Sequence, residues 1–197
     1  WEFRVNSQNL NVTKSRSDEN LLTGCLTIYD SLIENIKISS NNAHCEDAVN
    51  FISVSGSVEN IDINNAVSDG LDLDFSNLKI LNLNIKNAGN DCLDISAGNY
   101  DLINLILDNC KDKGLSIGEK SNAQIKNIEV INTNLAIAIK DSSYANVNNF
   151  FGDNVDKCLN AYRKKQEFGP VKIQIKKREC AGLSEDFIQK GSIYAEE

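Results

Sequence analysis

The chain has 197 residues, of which 41% are apolar and 24% are charged, and its formal net charge at pH 7 is −8. This length and composition fit one globular domain, and no apolar run is long enough to span a bilayer. The acidic balance argues against a nucleic-acid partner, because such partners require a basic surface.

The chain begins with Trp1 and contains no methionine, so we expect it to be part of a longer protein. A targeting signal would then lie outside it. Residues 1–23 are predicted to form an incomplete first coil or amino-terminal cap, because a short apolar alternation gives way to a polar stretch at 13–20. A solenoid must cover its open end, so a cap is expected here or upstream.

Residues 24–183 carry an internal repeat. Three versions of one segment, Ser68–Asp74, Asn90–Ser96 and Asp112–Gly118, follow one another at intervals of 22 residues. One apolar position keeps this spacing through five copies, which are Leu71, Leu93, Leu115, Ile137 and Leu159. A fixed period of this size indicates one small unit stacked on itself, so residues one period apart lie above one another.

An asparagine recurs with nearly the same period after each alternating apolar run, at Asn65, Asn87, Asn109, Asn132 and Asn154. Its side chain both donates and accepts hydrogen bonds, so stacked copies can bond one another. Period-two runs in coils too short for crossover helices predict parallel strands, whereas a leucine-rich repeat needs a helical segment per repeat. The predicted fold class is all-β, a single-stranded right-handed parallel β-helix with about 22 residues per coil and an internal asparagine ladder.

The end of the chain differs from the regular array. Between Arg163 and Arg178 there are seven basic residues and one acid, in a coil that also contains the only proline. Residues 184–197 are predicted to form a carboxy-terminal cap or tail.

The six cysteines are spread out, without paired C-x-x-C spacing. Cys92 and Cys158 share a slot three coils apart, about 14 Å, which is too far for a disulfide. Free buried thiols are therefore favoured over bridges, and the pairing of Cys25, Cys45 and Cys180 stays open.

The chemistry is expected on the outward face of the strand that holds Leu71. If Leu71 and Leu73 point inward, alternation turns Asp72 and Asp74 outward, and the next coil exposes Asp94. Just before the strand, the same stacking aligns three further residues, Asp69, Asp91 and Lys113. Four carboxylates on two coils are costly unless protons or cations compensate, and the lysines on later coils can do so.

At these positions the chain resembles polygalacturonases, which are inverting glycoside hydrolases of the pectate-lyase-like β-helix superfamily. That family carries N-T-D-G, G-D-D-C, G-H-G and R-I-K in order. This chain has Ser68-Asp69-Gly70, Gly89-Asn90-Asp91-Cys92, Asp112-Lys113-Gly114 and Ala138-Ile139-Lys140. The resemblance covers roughly residues 24–178.

The resemblance implies that Asp69 and Asp91 help to activate water. It also shows departures, because the general acid of the family is Asn90 here, the histidine is Lys113 and the arginine is Ala138; only Lys140 is retained. Asp72 and Asp94 are candidates to replace the missing acid. The resemblance thus favours the fold and the place of the site over the reaction of the family.

A second, looser likeness is to the β-helix regions of bacterial surface proteins associated with spore-coat-H-like modules. It rests on Lys113–Glu119 and on Lys140-Asp141. This likeness implies an extracellular or cell-surface location but no activity.

A lyase is the other enzymatic route. A lysine of lowered pKa would remove the proton beside a uronate carboxylate, while Ca²⁺ held by aspartates neutralised that carboxylate. Lys113 and Lys140 are the candidate bases. Oxygen-rich clusters suit Ca²⁺, but no loop has EF-hand spacing, so no metal ligands are assigned.

Three hypotheses follow. The first is a polysaccharide hydrolase or lyase, the second a non-catalytic glycan-binding module, and the third a structural β-helix of a larger surface protein. The candidate catalytic residues are Asp69, Asp72, Asp91, Asp94, Lys113 and Lys140. The candidate residues for binding a polysaccharide or oligosaccharide are Asp74, Glu119, Asp141, Tyr162, Lys164 and Lys165.

Overall fold

The computed structural model describes residues 1–6 and 17–196, which form one parallel sheet wound into about eight coils. These residues contain no helix, and hence none that could cross a membrane. The strands among them are β1 (Glu2–Asn6), β2 (Gly24–Tyr29), β3 (Leu32–Ala43), β4 (Asp47–Ile52), β5 (Ser55–Ala66), β6 (Asp69–Ala88), β7 (Leu93–Cys110), β8 (Lys113–Gly118), β9 (Asn122–Lys140), β10 (Tyr144–Tyr162), β11 (Lys172–Cys180), β12 (Phe187–Ile188) and β13 (Ile193–Glu196).

Each coil pairs in parallel with the next at the predicted spacing. The register joins Leu71 to Leu93, Leu93 to Leu115, and Leu115 to Ile137. The predicted fold class is therefore confirmed. Strand β6 shows how one coil is built, because it runs through corners and pairs with β4 and β5 on one side and β7 on the other.

The core is the stack of inward apolar side chains. Leu71 and Leu73 are fully buried, as are Ile80 and Ile85 later in the same coil, and equivalent residues repeat this set in neighbouring coils. Burying one such side chain contributes about 1.5–3 kcal/mol. The alternation read from the sequence thus places Leu71 and Leu73 inside and leaves Asp72 and Asp74 half-buried outside.

The predicted asparagine ladder forms in part. The Asn87 amide donates to Asn65 (2.9 Å) and Asn109 donates to Asn87 (2.7 Å), but Asn132 donates to Asp108 instead of continuing the row. These side chains are exposed or half-buried, so the ladder lies on the surface and its predicted internal position is wrong. All five residues of the row have φ between 50° and 63° at a corner. This left-handed conformation, which asparagine tolerates well, turns the side chain away from the core.

Two further ladders were not predicted. In one, Asn99 donates to Asn77 and Asn122 donates to Asn99, at 2.8 and 3.3 Å. In the other, hydrogen bonds of 2.8–3.1 Å join four asparagines in series, Asn82, Asn104, Asn127 and Asn149. Rows of hydrogen-bonded asparagine amides therefore recur on the surface of this solenoid.

The cysteines form three disulfides, so the expectation of free thiols is wrong. The bridges are Cys25–Cys45, Cys92–Cys110 and Cys158–Cys180. Cys92 and Cys110 belong to one stretch of the winding chain. Cys180 stacks on Gly152 of the neighbouring coil and bonds Cys158 of that same coil. As expected from their separation of three coils, Cys92 and Cys158 are not bonded to each other. Three disulfides are typical of proteins in an oxidising, extracellular type of compartment.

The ends of the described chain continue the parallel pairing. Strand β1 pairs with β3, and the short strands β12 and β13 pair with β10 and β11. Half of the polar stretch predicted at 13–20 falls on residues 13–16, which lie outside the described residues.

Candidate functional site

Three columns of side chains run across one face of the solenoid. The Asp69 column consists of Asp47, Asp69, Asp91 and Lys113. The Asp72 column consists of Thr27, Asn50, Asp72, Asp94, Ser116, Ala138 and Asn160. The Asp74 column consists of Ile52, Asp74, Ser96, Gly118, Lys140 and Tyr162. The six candidate catalytic residues therefore lie on one face, within four successive coils.

The carboxylates of the Asp69 column bond the backbone of the following coil. Asp69 Oδ1 accepts hydrogen bonds from the Asp91 backbone N–H (2.8 Å) and from the Asn90 amide (2.7 Å). Asp91 Oδ1 accepts from the backbone N–H of Lys113 (3.1 Å) and lies 3.2 Å from its Nζ. Lys113 also pairs with Asp112. These acids hold the turns in place as well as forming a charged cluster.

Burial governs the protonation of this column. It raises the pKa of Asp47 and of Asp69 to about 6, although hydrogen bonds to Asp69 oppose the shift. It also raises the pKa of Asp91 to about 7, against the attraction of Lys113. Burial alone would lower the pKa of Lys113, but the hydrogen bond to Asp112 and the charge of Asp91 raise it above its usual range. We therefore expect a charged Asp91–Lys113 pair above neutral pH.

The Asp72 column contains buried polar atoms without a hydrogen-bond partner among the described residues. They are Thr27 Oγ1, Asn50 Oδ1, Asp94 Oδ1, Ser116 Oγ and Asn160 Oδ1. Native proteins pair the large majority of such atoms, so the column is unusual in its polar atoms that are shielded from solvent. Between two of them lies Asp72, which receives only a long contact from the Asn50 amide (3.4 Å). Burial, with Asp74 and other aspartates nearby, raises the pKa of Asp72 to about 9.

The Asp74 column combines an acid with a buried lysine. Burial raises the pKa of Asp74, although a hydrogen bond from Asn50 opposes it. Lys140 is only 7% exposed and lies over Gly118, where an added Cβ would come within 3.0 Å of the lysine Cε. Tyr162 is half-buried beside Lys140 in the register, and burial raises the pKa of its hydroxyl.

The remaining candidate binding residues serve the turns next to these columns. Asp141 is buried, and its Oδ1 accepts hydrogen bonds from the backbone of Lys164 (2.7 Å) and of Lys165 (2.8 Å). The Lys165 amine pairs with Glu119. The Lys164 side chain is exposed. Of these four, Lys164 is the residue best placed to meet a ligand.

The sequence reading missed two members of the face. Asp47 and Asn50 extend the columns one coil further, and they precede Asp69 and Asp72 by 22 residues each. The period alone could have identified them, because Asp47 repeats the slot of Asp69. The longer turn before Asp47 hid that match.

Within residues 1–6 and 17–196 no three His, Cys, Asp or Glu side chains are arranged to hold a metal ion. Cavities of about 500 and 320 Å³ open on the ladder faces, and one of about 760 Å³ opens beside Trp1 and reaches Thr27 at the end of the Asp72 column. The acids of the three columns thus line none of these three cavities.

No protein-family model, curated protein or solved structure matches the chain.

Proposed function

We propose that the protein is a carbohydrate-active β-solenoid that hydrolyses a polysaccharide on the face formed by the three columns. The polysaccharide would lie along the solenoid axis, across successive coils. Three disulfides fit work outside the cell or at its surface, where polysaccharides are met.

The observation that carries this proposal is the pair of stacked, half-buried carboxyl groups of Asp72 and Asp94. Both side chains remain partly open to solvent, and Asp72 has only a long contact with the Asn50 amide (3.4 Å). Carboxyl groups on an open face can bind the hydroxyls of a sugar and can also donate or accept a proton.

Asp72 and Asp94 are suited to the two carboxyl roles of glycoside hydrolysis. With a pKa of about 9, Asp72 carries a proton at neutral pH that it can donate to the glycosidic oxygen. Asp94 is its register partner one coil away, roughly 5 Å at the strand spacing. Carboxyl groups on such neighbouring backbone positions would suit the separation of about 5–5.5 Å in retaining enzymes better than the roughly 6.5–9.5 Å of inverting enzymes.

The reaction then balances in two steps. Asp94 bonds to the anomeric carbon while Asp72 protonates the departing oxygen, and the glycosidic bond breaks. Water next attacks the glycosyl ester, Asp72 takes a proton from that water, and Asp94 leaves as a carboxylate.

The polygalacturonase-like positions support a changed division of roles. Asn90 occupies the place of the general acid of that family, and here its amide donates to Asp69. Asp69 and Asp91 are held by backbone N–H groups, so we assign them to positioning rather than to proton transfer. Lys113, Lys140 and Tyr162 would bind the sugar or a uronate carboxylate.

Hydrolysis is better supported than elimination. A lyase needs a lysine of lowered pKa, whereas the partners of Lys113 raise its pKa.

A non-catalytic glycan-binding module is the second candidate. The hydrogen bonds that Asp69 and Asp91 accept from backbone N–H groups favour it, because two of the four central acids then stabilise the fold.

The test is a screen of the disulfide-intact chain for release of reducing ends from uronate-containing and neutral polysaccharides. We expect Asp72→Asn and Asp94→Asn each to lower hydrolysis by about 100-fold or more while substrate binding persists. Asp153→Asn, an exposed aspartate off the three columns, is the matched control. Binding without any hydrolysis by the parent chain would favour the second candidate, and neither binding nor hydrolysis would overturn both.

A further inference from the structure

A second surface, away from the acidic face, has the form of a binding groove. It is a cavity of about 500 Å³ that runs across β6, β7, β9, β10 and β11. This volume is within the usual range of about 300–1,000 Å³ for ligand sites. We define the ladder groove by Asn82, Asn104, Asn127, Asn149, Ile106 and Phe151.

The amides of the groove form a regular polar line. Asn104 donates to Asn82 (3.1 Å), Asn127 donates to Asn104 (2.9 Å) and Asn149 donates to Asn127 (2.8 Å). Each amide has two N–H donors and an oxygen with two acceptor positions. The two central residues, Asn104 and Asn127, therefore keep one donor and one acceptor for a ligand, repeated at roughly 4.8 Å.

Apolar side chains lie beside this line. Ile106 and Phe151 are 45% and 43% exposed, and the register places them two coils apart in one column, with Glu129 between them. Single exposed apolar residues are ordinary, but two that line one groove next to free amide groups form an amphipathic surface. The C–H face of a pyranose ring packs on such a side chain while its hydroxyls reach the amides.

The charges of the groove exclude an anionic ligand. Lys177 pairs with Glu179 (2.7 Å), which leaves Glu129 as the uncompensated charge among the lining residues. Nucleic acids and uronate polymers would meet no free cation here. An extended peptide, at about 3.3 Å per residue, would fall out of step with the amides.

We propose that the ladder groove binds a linear, uncharged polysaccharide of β-linked pyranose units along the solenoid axis, with one sugar per coil. The length of one pyranose unit is close to the coil rise, so each sugar would lie beside one amide of the line. This site is separate from the acidic face and does not depend on the hydrolysis proposed there.

The test is calorimetric titration of the disulfide-intact chain with cellohexaose, mannohexaose and an oligogalacturonate. We expect the parent chain to bind at least one neutral oligosaccharide and Phe151→Ala to weaken that binding about tenfold, as expected for one stacked ring. The double variant Asn104→Ala/Asn127→Ala should weaken it further. Phe3→Ala, which removes an exposed phenylalanine of β1, should bind like the parent.

Each outcome decides the proposal. Failure of both neutral oligosaccharides to bind the parent overturns it, as does unchanged binding by a Phe151→Ala variant whose circular dichroism matches the parent. Asp72→Asn separates the two sites, because it should lower hydrolysis by about 100-fold or more and leave groove binding unchanged. If the parent chain binds a neutral oligosaccharide in the groove but neither it nor any variant hydrolyses a polysaccharide, this inference stands and the proposed enzyme is overturned.

Discussion

Asp72 combines a proposed catalytic role with a cost in stability. Its pKa is about 9 in the folded protein against an ordinary value of 3.8, so between these pH values the folded state binds a proton that the unfolded state does not. Stability therefore falls as pH rises through this window. Replacing the carboxyl removes the dependence.

We expect Asp72→Asn to be more stable than the parent at pH 7 and to gain further up to about pH 9. At pH 3, where the carboxyl is protonated in both states, the two proteins should differ little. Urea unfolding at pH 3, 7 and 9 measures this. Equal stability of parent and variant at pH 9 would show that Asp72 ionises freely in the fold.

For single residues, the sequence predicts the position of a side chain in the stack of coils better than it predicts the contacts of that side chain. The period placed Asp69, Asp72, Asp91 and Asp94 on one face, because vertical stacking depends only on coil length. It could not show that Asp141 turns its carboxylate to the backbone of the following turn. Side-chain contacts of that kind depend on the local path of a corner, which the spacing does not specify.

The corners are elements in which asparagine has two functions. Asn87 has φ of 62°, donates to Asn65 and accepts from Asn109. We expect Asn87→Gly to destabilise the protein by about 1–2 kcal/mol, because glycine keeps the conformation and loses both hydrogen bonds. Asn87→Ala should cost about 1 kcal/mol more, since alanine disfavours positive φ. Chemical denaturation measures both, and equal stability of the two variants would contradict the conformational role.

The Cys92–Cys110 disulfide connects stability to the acidic face. Cys92 follows Asp91 and donates its backbone N–H to the Lys113 carbonyl (2.8 Å). We expect the double variant Cys92→Ala/Cys110→Ala to lose about 3 kcal/mol and also to lose hydrolysis. The matched variant Cys158→Ala/Cys180→Ala should lose similar stability and keep its activity. Equal activity loss in both would show a general effect of unfolding.

The disulfides and the extra ladders mark the limit of prediction at the scale of elements. Strand pairing follows from a period that many residues share. Each disulfide instead depends on two particular Cα atoms coming within 5.3–6.1 Å, which requires the shape of the coil as well as its length. The ladders at Asn77 and Asn82 were hidden for the same reason, since asparagines abound in the sequence and only the corners select those that stack.

The molecule as a whole should be most stable at mildly acid pH. Burial raises the pKa values of Asp47 and Asp69 to about 6, of Asp91 to about 7 and of Asp72 to about 9. All four bind protons more tightly when folded, so stability falls as pH rises from about 4 to about 9. Repulsion within a chain of net charge −8 acts in the same direction.

We expect the unfolding temperature to be at least about 5 °C higher at pH 5 than at pH 8.5. Differential scanning calorimetry at constant ionic strength measures it. The Asp72→Asn variant should show a smaller difference than the parent. A parent protein that is more stable at pH 8.5 would indicate that the four carboxyls are ionised in the fold.

The three disulfides close segments with sequence separations of 20, 18 and 22 residues at the beginning, middle and end of the coil array. A molecule pulled from its two ends would unwind coil by coil, yet these segments could not lengthen while their bridges were intact. Reduction would release roughly 200 Å of additional contour length, at about 3.5 Å per residue. The bridges would thus set a redox-dependent limit on the extension of the solenoid, which optical tweezers would register as a longer final length after dithiothreitol.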